Sequence, residues 1–162
     1  RNTLSRAVVL LSDDEKKLQE LQIDALEGET RDGVERFQNY GFTANPLPGA
    51  EAVVVFLGAS RDHGVVVAVD DRRYRPKGLQ AGEVAIYTDQ GDKVVFRRGG
   101  TIEVTASTKV TITSPIVEIS GDLTVNGDIA APSGDVTAGA ISLKTHVHGG
   151  VQAGGGVTGA PQ

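Results

Sequence analysis

From residue 101 to the end, the sequence has no aromatic residue, many glycines and only aliphatic side chains with which to build a core. All seven aromatic residues of the chain lie before this point, and twelve of the 21 glycines fall from Gly99 onward. A segment of roughly 60 residues with this composition buries too little surface to fold alone. We therefore expect residues 101–162 to need further chains for stability.

The same segment repeats a short apolar pattern. Pairs of aliphatic residues separated by one position recur at Ile102/Val104, Val110/Ile112, Val117/Ile119 and Leu123/Val125. In a strand, both members of a pair lie on one face. A single-chain β-solenoid and three chains wound about one axis both fit, because stacked short units bury a continuous core. Solenoid coils are usually longer and more regular, so the pattern favours the trimer.

Residues 1–100 are typical of a small β-barrel. Four short apolar runs have strand length and are bounded by turn-forming residues: 52–57, 64–69, 83–88 and 93–97. A hairpin loop is predicted at 58–63 and a second at 89–92, whereas the turn at 45–49 contains two prolines and cannot lie inside a sheet. About five strands with such turns suggest an oligonucleotide/oligosaccharide-binding (OB) barrel.

The stretch from residue 12 to 26 fits two different elements. Ser12-Asp-Asp-Glu15 has the form of a helix capping box. Leu21, Ile23 and Ala25 alternate with polar residues, as in a half-buried strand. Local propensity slightly favours the helix, so the residues alone leave both open.

Two of the three histidines, His146 and His148, follow the apolar repeat directly. In an extended strand their imidazoles face the same side, and imidazole binds transition metals. Two imidazoles leave a coordination sphere incomplete, and the chain has no cysteine. Three chains would supply six nitrogens for an octahedral site, so the pair predicts one metal ion at the tip of a trimer. His63 is expected to be a surface residue.

Charge and motifs argue against several other functions. The net charge is −5, and the basic run from Arg72 to Lys77 follows two aspartates and contains one aromatic residue, Tyr74. A solvated or docking loop is therefore favoured over a nucleic-acid groove. No apolar run reaches the roughly 20 residues of a membrane helix, and no secretory signal pattern is visible at the start. Without cysteine or a Gly-x-Ser-x-Gly motif, we expect no enzyme.

Several segments resemble the central baseplate spikes of contractile phage tails, and the phage Mu-type spike most closely. The likeness is carried by residues 28–42, 46–57 and 61–77, and by the ending Thr145-His-Val-His-Gly-Gly-Val-Gln152 with its glycine-rich continuation. It covers nearly the whole chain and is less clear over residues 1–5.

This resemblance implies an all-β protein of three parts. An N-terminal OB-fold barrel (1–100) would be followed by an intertwined homotrimeric triple-stranded β-helix (101–145) and a metal-capped apex with a glycine-rich tail (146–162). Iron is the implied metal, one ion per trimer on six nitrogens from His146 and His148, with calcium or chloride as further candidate ions on the axis. The resemblance also assigns residues 18–26 to the barrel as a strand.

The implied function is mechanical. The protein would sit in the virion at the tip of the tail baseplate, contact hub proteins and the tail tube, and pierce the host outer membrane when the sheath contracts. The alternative is a baseplate module that binds host polysaccharide or lipopolysaccharide, although residues 101–162 lack aromatic platforms for sugars. A lysozyme domain has no room between barrel and repeat, and no nucleic-acid partner is expected.

Overall fold

The computed structural model describes residues 3–25, 28–60, 62–148 and 154, and the chain divides into two compact units, 1–111 and 112–162. The regular elements of the described residues are strands and one 3₁₀ turn, Leu57–Ala59. The strands are β1 (Leu4–Asp13), β2 (Glu20–Asp24), β3 (Thr30–Arg36), β4 (Glu51–Phe56), β5 (Gly64–Asp70), β6 (Val84–Tyr87), β7 (Lys93–Phe96), β8 (Ile102–Thr105), β9 (Thr137–Ala138) and β10 (Ile141–Ser142). Among the described residues, no helix is long and apolar enough to cross a membrane.

The first five strands form a closed barrel in the order β1-β2-β3-β5-β4. Every pairing is antiparallel except that of β3 with β5, where Glu35 lies opposite Val65 and Arg36 opposite Val66. Closure pairs the edge of β4 with β1, so the barrel leaves no free strand edge. The all-β prediction is confirmed, as is a small barrel in this part of the chain.

Strand β2 resolves the ambiguity between helix and strand. Leu21 and Ile23 are fully buried, whereas Gln22 and Asp24 between and after them are half-buried. A strand sends alternate residues into the barrel, and burying these two aliphatic side chains outweighs a slight local preference for helix. The capping-box residues lie at the end of β1 and in the turn after it, where the Asp13 carboxylate accepts the Glu15 N–H at 3.1 Å.

The barrel core gives the first testable prediction. Leu21→Ala is expected to lower the free energy of unfolding by about 2–5 kcal/mol, because it leaves a cavity among closely packed aliphatic side chains. Leu11→Ala is the matched control, since the Leu11 side chain is more than half exposed. Chemical unfolding followed by far-UV circular dichroism measures both. If the two variants lost equal stability, the assignment of Leu21 to the buried core would be wrong.

The predicted hairpin at 83–97 forms, but it lies outside the barrel. β6 pairs with β7, and β7 pairs with β8, which makes a separate three-stranded sheet. The barrel is already closed by β1 and β4, so it offers the hairpin no edge, whereas β8 does. The first apolar pair of the repeat, Ile102 and Val104, thus lies in a strand paired within the same chain.

The later apolar pairs are not in strands within a single chain. Residues 106–136 contain no strand, although this segment is fully described. A strand is defined by backbone hydrogen bonds to a neighbour, and one chain of this segment brings no neighbour alongside itself. In the second unit, the short hairpin of β9 and β10 is the regular structure among the described residues.

Candidate metal centre at the apex

The β9–β10 hairpin leads directly to the two histidines. Ala138 pairs with Ile141 and Thr137 with Ser142, across a turn in which Gly139 has a φ of 59°. That left-handed conformation favours glycine because a Cβ atom would be strained there. Residues 143–145 form a further turn, after which the chain continues through His146 to His148 without regular structure.

The backbone of Ser142 determines which nitrogen of His146 is available. The Ser142 carbonyl oxygen accepts the His146 backbone N–H at 3.0 Å and also lies 3.0 Å from His146 Nδ1. A carbonyl can only accept, so this contact requires the proton of a neutral imidazole to be on Nδ1. The lone pair is then on Nε2, which is the arrangement that a metal-binding histidine uses.

The structure brings the two imidazoles together. Their ring centroids are 5.2 Å apart and the ring planes meet at 78°, an edge-to-face contact. Both residues are exposed. Although the local backbone is not the extended strand that the sequence argument assumed, the residues are neighbours as expected. Their role as metal ligands stays a prediction.

One chain by itself supplies a small donor set. Within the described residues, no three histidine, aspartate or glutamate side chains converge on a point where they could hold a metal ion. Both contacting imidazoles are nevertheless of the donor type that transition metals bind, and the Ser142 carbonyl leaves Nε2 of His146 free for a metal. The glycine-rich tail predicted for 149–162 lies outside the described residues except for Gly154.

Two of the four cations in the basic run at 72–77 are paired with carboxylates of the same chain. Arg72 donates two hydrogen bonds to the Glu51 carboxylate, and these lower the pKa of that carboxyl. Arg73 donates at 2.8 and 2.6 Å to Asp71, which likewise lowers the pKa of Asp71, and its guanidinium lies 5.2 Å from the Tyr74 ring centroid. Because these two arginines already bind carboxylates of the same chain, a solvated loop is favoured over a groove that binds phosphates. His63, as expected, is exposed.

Sequence reasoning did not single out an exposed aromatic loop between β3 and β4. Phe37, Tyr40 and Phe42 are 57%, 104% and 64% exposed, and the loop is held by the Gln38 side chain, which accepts the Ala44 N–H at 2.8 Å. Three of the chain's seven aromatic residues within six positions were the available signal. Large exposed aromatic side chains are typical of protein interfaces.

A buried polar pair supports the base of this loop. Arg36 donates to Gln19 Oε1 at 2.8 Å and to the Ala44 carbonyl at 2.6 Å, and burial lowers the pKa of the Arg36 guanidinium. The pair lines one side of a cavity of about 360 Å³ that Tyr40 and Phe42 also line. Buried polar groups with satisfied hydrogen bonds hold a loop in one conformation.

Comparisons with known proteins match both ends of the chain. Residues 6–73 match the family described as Bacteriophage Mu Gp45, N-terminal, and residues 140–162 match the GpV Apex motif, which takes in β10 and both histidines. The chain is 38% identical over its full length to the baseplate puncturing device gp45 of Escherichia phage Mu, of which it covers 90%. It is 36% identical to the Mu-like prophage FluMu protein gp45 of Haemophilus influenzae, with 90% of this chain and 85% of that relative aligned.

Proposed function

Because the chain belongs to the Mu Gp45 family of phage baseplate proteins, we propose that it is the central spike of a contractile tail and pierces the host outer membrane. One observation carries this proposal: a row of exposed apolar side chains recurs along the sequence from residue 102 to residue 143, shortly before two contacting imidazoles. A lone soluble chain rarely exposes such a long series of large apolar side chains. The row is explained if other copies of the chain cover it.

The covering copies are best arranged as a homotrimer. Eleven large aliphatic residues from 110 to 143 are more than 40% exposed: Val110, Ile112, Ile116, Val117, Ile119, Leu123, Val125, Ile129, Val136, Ile141 and Leu143. Three chains wound as a triple-stranded β-helix bury these side chains in one core. The winding also pairs the backbone groups of residues 106–136 between chains, as a segment entering a membrane requires.

The metal would tie the three chain ends together. Nε2 of His146 and a nitrogen of His148 from each chain make six donors, which suits one octahedral iron ion per trimer. Further ions such as calcium or chloride would lie on the same axis. When bound, the metal supplies a cross-link that stabilises the elements its ligands hold. Fraying would otherwise begin at this end.

The barrel unit would form the collar that joins the spike to the rest of the virion. Its strand order, with the parallel contact between β3 and β5, is compatible with an OB fold. Hub proteins and the tail tube are the proposed partners, and the exposed aromatic loop offers side chains of the type enriched at interfaces. The spike would then occupy the tip of the baseplate.

Solution mass and metal content test this proposal together. Sedimentation of the purified protein is expected to give three chains of 16.9 kDa each, and elemental analysis one iron per three chains. A monomer would overturn the spike assignment, because the apolar row would then be uncovered. A trimer that contains a different metal, or none, would be consistent with the spike assignment and would contradict only the proposed iron site.

A further inference from the structure

A single carboxylate holds both ends of the hairpin that precedes the histidines. Asp135 lies just before β9, and its Oδ1 accepts the Val136 N–H at 2.8 Å and the Lys144 N–H at 3.2 Å. Its Oδ2 accepts the hydroxyl proton of Ser142. These hydrogen bonds, that of Ser142 first, lower the pKa of the Asp135 carboxyl. The carboxylate therefore joins residues on each side of β10.

Ser142 passes this constraint on to His146. Its hydroxyl donates its one proton to Asp135, so its lone pairs are free to accept the Thr145 N–H at 3.0 Å. Its carbonyl oxygen receives the backbone N–H of His146 and faces the Nδ1 atom of the same residue, each at 3.0 Å. The hydroxyl and the carbonyl of Ser142 thus both shape the turn that presents His146.

We propose that Asp135 and Ser142 are positioning residues for the apex metal: Asp135 orients Ser142, and Ser142 holds His146 with its proton on Nδ1 and its lone pair on Nε2. The proposal rests on the proposed metal-binding role of His146. Partners that hydrogen-bond a metal ligand directly typically change metal affinity by about 10- to 100-fold when they are removed. The Ser142 carbonyl is such a partner, and the Asp135 carboxylate and the Ser142 hydroxyl act on it through the turn, so we expect the lower end of that range for changes of these side chains.

The two histidines are held differently, so Asp135 is expected to act on His146 rather than on His148. In the described part of the chain, no hydrogen bond holds the His148 ring, which instead contacts the edge or face of His146. Ser142 therefore fixes the position of the His146 ring, and the His146 ring in turn contacts the ring of His148. A change at Asp135 or Ser142 should affect His146 first.

Four variants of the full chain separate positioning from simple loss of structure. Asp135→Asn can keep the acceptor for the two backbone N–H groups but presents an amide donor to the Ser142 hydroxyl. Ser142→Ala removes that hydroxyl, whereas Ser142→Thr retains it. Asp122→Asn makes the same change of charge at an exposed aspartate of the same unit, and it is the matched control.

Two measurements are made on each variant. The first is the affinity for Fe²⁺ under anaerobic conditions, by competition with a chromogenic chelator. The second is the tautomer of His146 in the metal-free protein, from ¹⁵N chemical shifts of histidine-labelled samples, in which the variants His63→Gln and His148→Gln identify the signals of the other two histidines. Sedimentation accompanies both, so that loss of the trimer is recognised.

Asp135→Asn and Ser142→Ala are expected to weaken Fe²⁺ binding by about 10-fold and to lower the population of the Nδ1-protonated tautomer, because the turn that presents the Ser142 carbonyl is loosened. Ser142→Thr and Asp122→Asn should retain both properties. Unchanged affinity and tautomer in Asp135→Asn and Ser142→Ala would overturn the positioning role while metal binding by the parent protein stands. If Asp135→Asn loses the trimer, equal affinities of Ser142→Ala and Ser142→Thr would overturn it. A parent protein that binds no Fe²⁺ would instead refute the proposed metal site itself.

Discussion

Replacing Leu123 and Val125 together with aspartate is expected to abolish assembly of the spike and leave single chains in solution. Both side chains are exposed in one chain, at 65% and 43%, and in the proposed trimer they face the shared core. Each lost aliphatic side chain forfeits about 1.5–3 kcal/mol of burial. An unpaired carboxylate in an apolar core adds a cost of several kcal/mol, and the threefold axis brings six of them together.

Thr124→Asp is the matched control for this prediction. It introduces the same charge between the two positions, on the opposite face of a strand. Sedimentation should show the double variant as single chains and the control as trimers. Circular dichroism should still report a folded barrel, because the core around Leu21 belongs to the other unit. A control that dissociates equally, or a double variant that stays trimeric, would contradict the assigned direction of these side chains.

Replacing His146 and His148 together with alanine is expected to remove the metal completely while the trimer survives. The variant lacks all six proposed nitrogen ligands. The apolar pairs between Ile102 and Leu143 bury their surface independently of the ion, so they should keep the chains associated. The free energy of metal binding stabilises only the elements that the ligands hold. The chain after about Lys144 should therefore become sensitive to proteases.

Elemental analysis, sedimentation and limited proteolysis with mass spectrometry measure these three outcomes. His63→Ala is the control, since His63 is exposed on the barrel unit and outside the apex. It should retain metal content and protease resistance. A double variant with full metal content would mean that the ligands lie elsewhere. Dissociation into monomers would mean that the ion, rather than the apolar core, holds the spike together.

Family and general architecture could be predicted from the sequence because they depend on local patterns. The ending with its two histidines and the segment at 28–77 predicted a Mu-type spike, and this is confirmed. The apolar runs at 52–57 and 64–69 predicted β4 and β5 within about one residue. Runs of this kind specify a strand because their β-branched residues fit a pleated, buried surface.

The element at 20–24 shows where local pattern reaches its limit. A capping box and good helix formers compete there with a period of two, and both signals are contained in the same few residues. The residues alone leave the choice open, and the resemblance to Mu-type spikes assigned a strand, which is confirmed. The barrel interior gives the physical reason, because it receives Leu21 and Ile23 from one side of that strand. Local pattern likewise could not show that the hairpin at 84–96 lies outside the barrel. The sheet that a hairpin joins depends on which strand edges remain unpaired after the barrel closes.

The candidate site likewise has features that the sequence predicts and features that depend on the tertiary structure. By itself the sequence determined that two imidazoles stand two residues apart after an apolar repeat, since spacing and residue type are local properties. Only the tertiary structure decided that the Ser142 carbonyl takes the Nδ1 side of His146 and that Asp135 reaches across the hairpin to Ser142. Those contacts depend on hydrogen-bond directions between residues four and seven positions apart. A folded turn sets such directions, and residue spacing does not encode them.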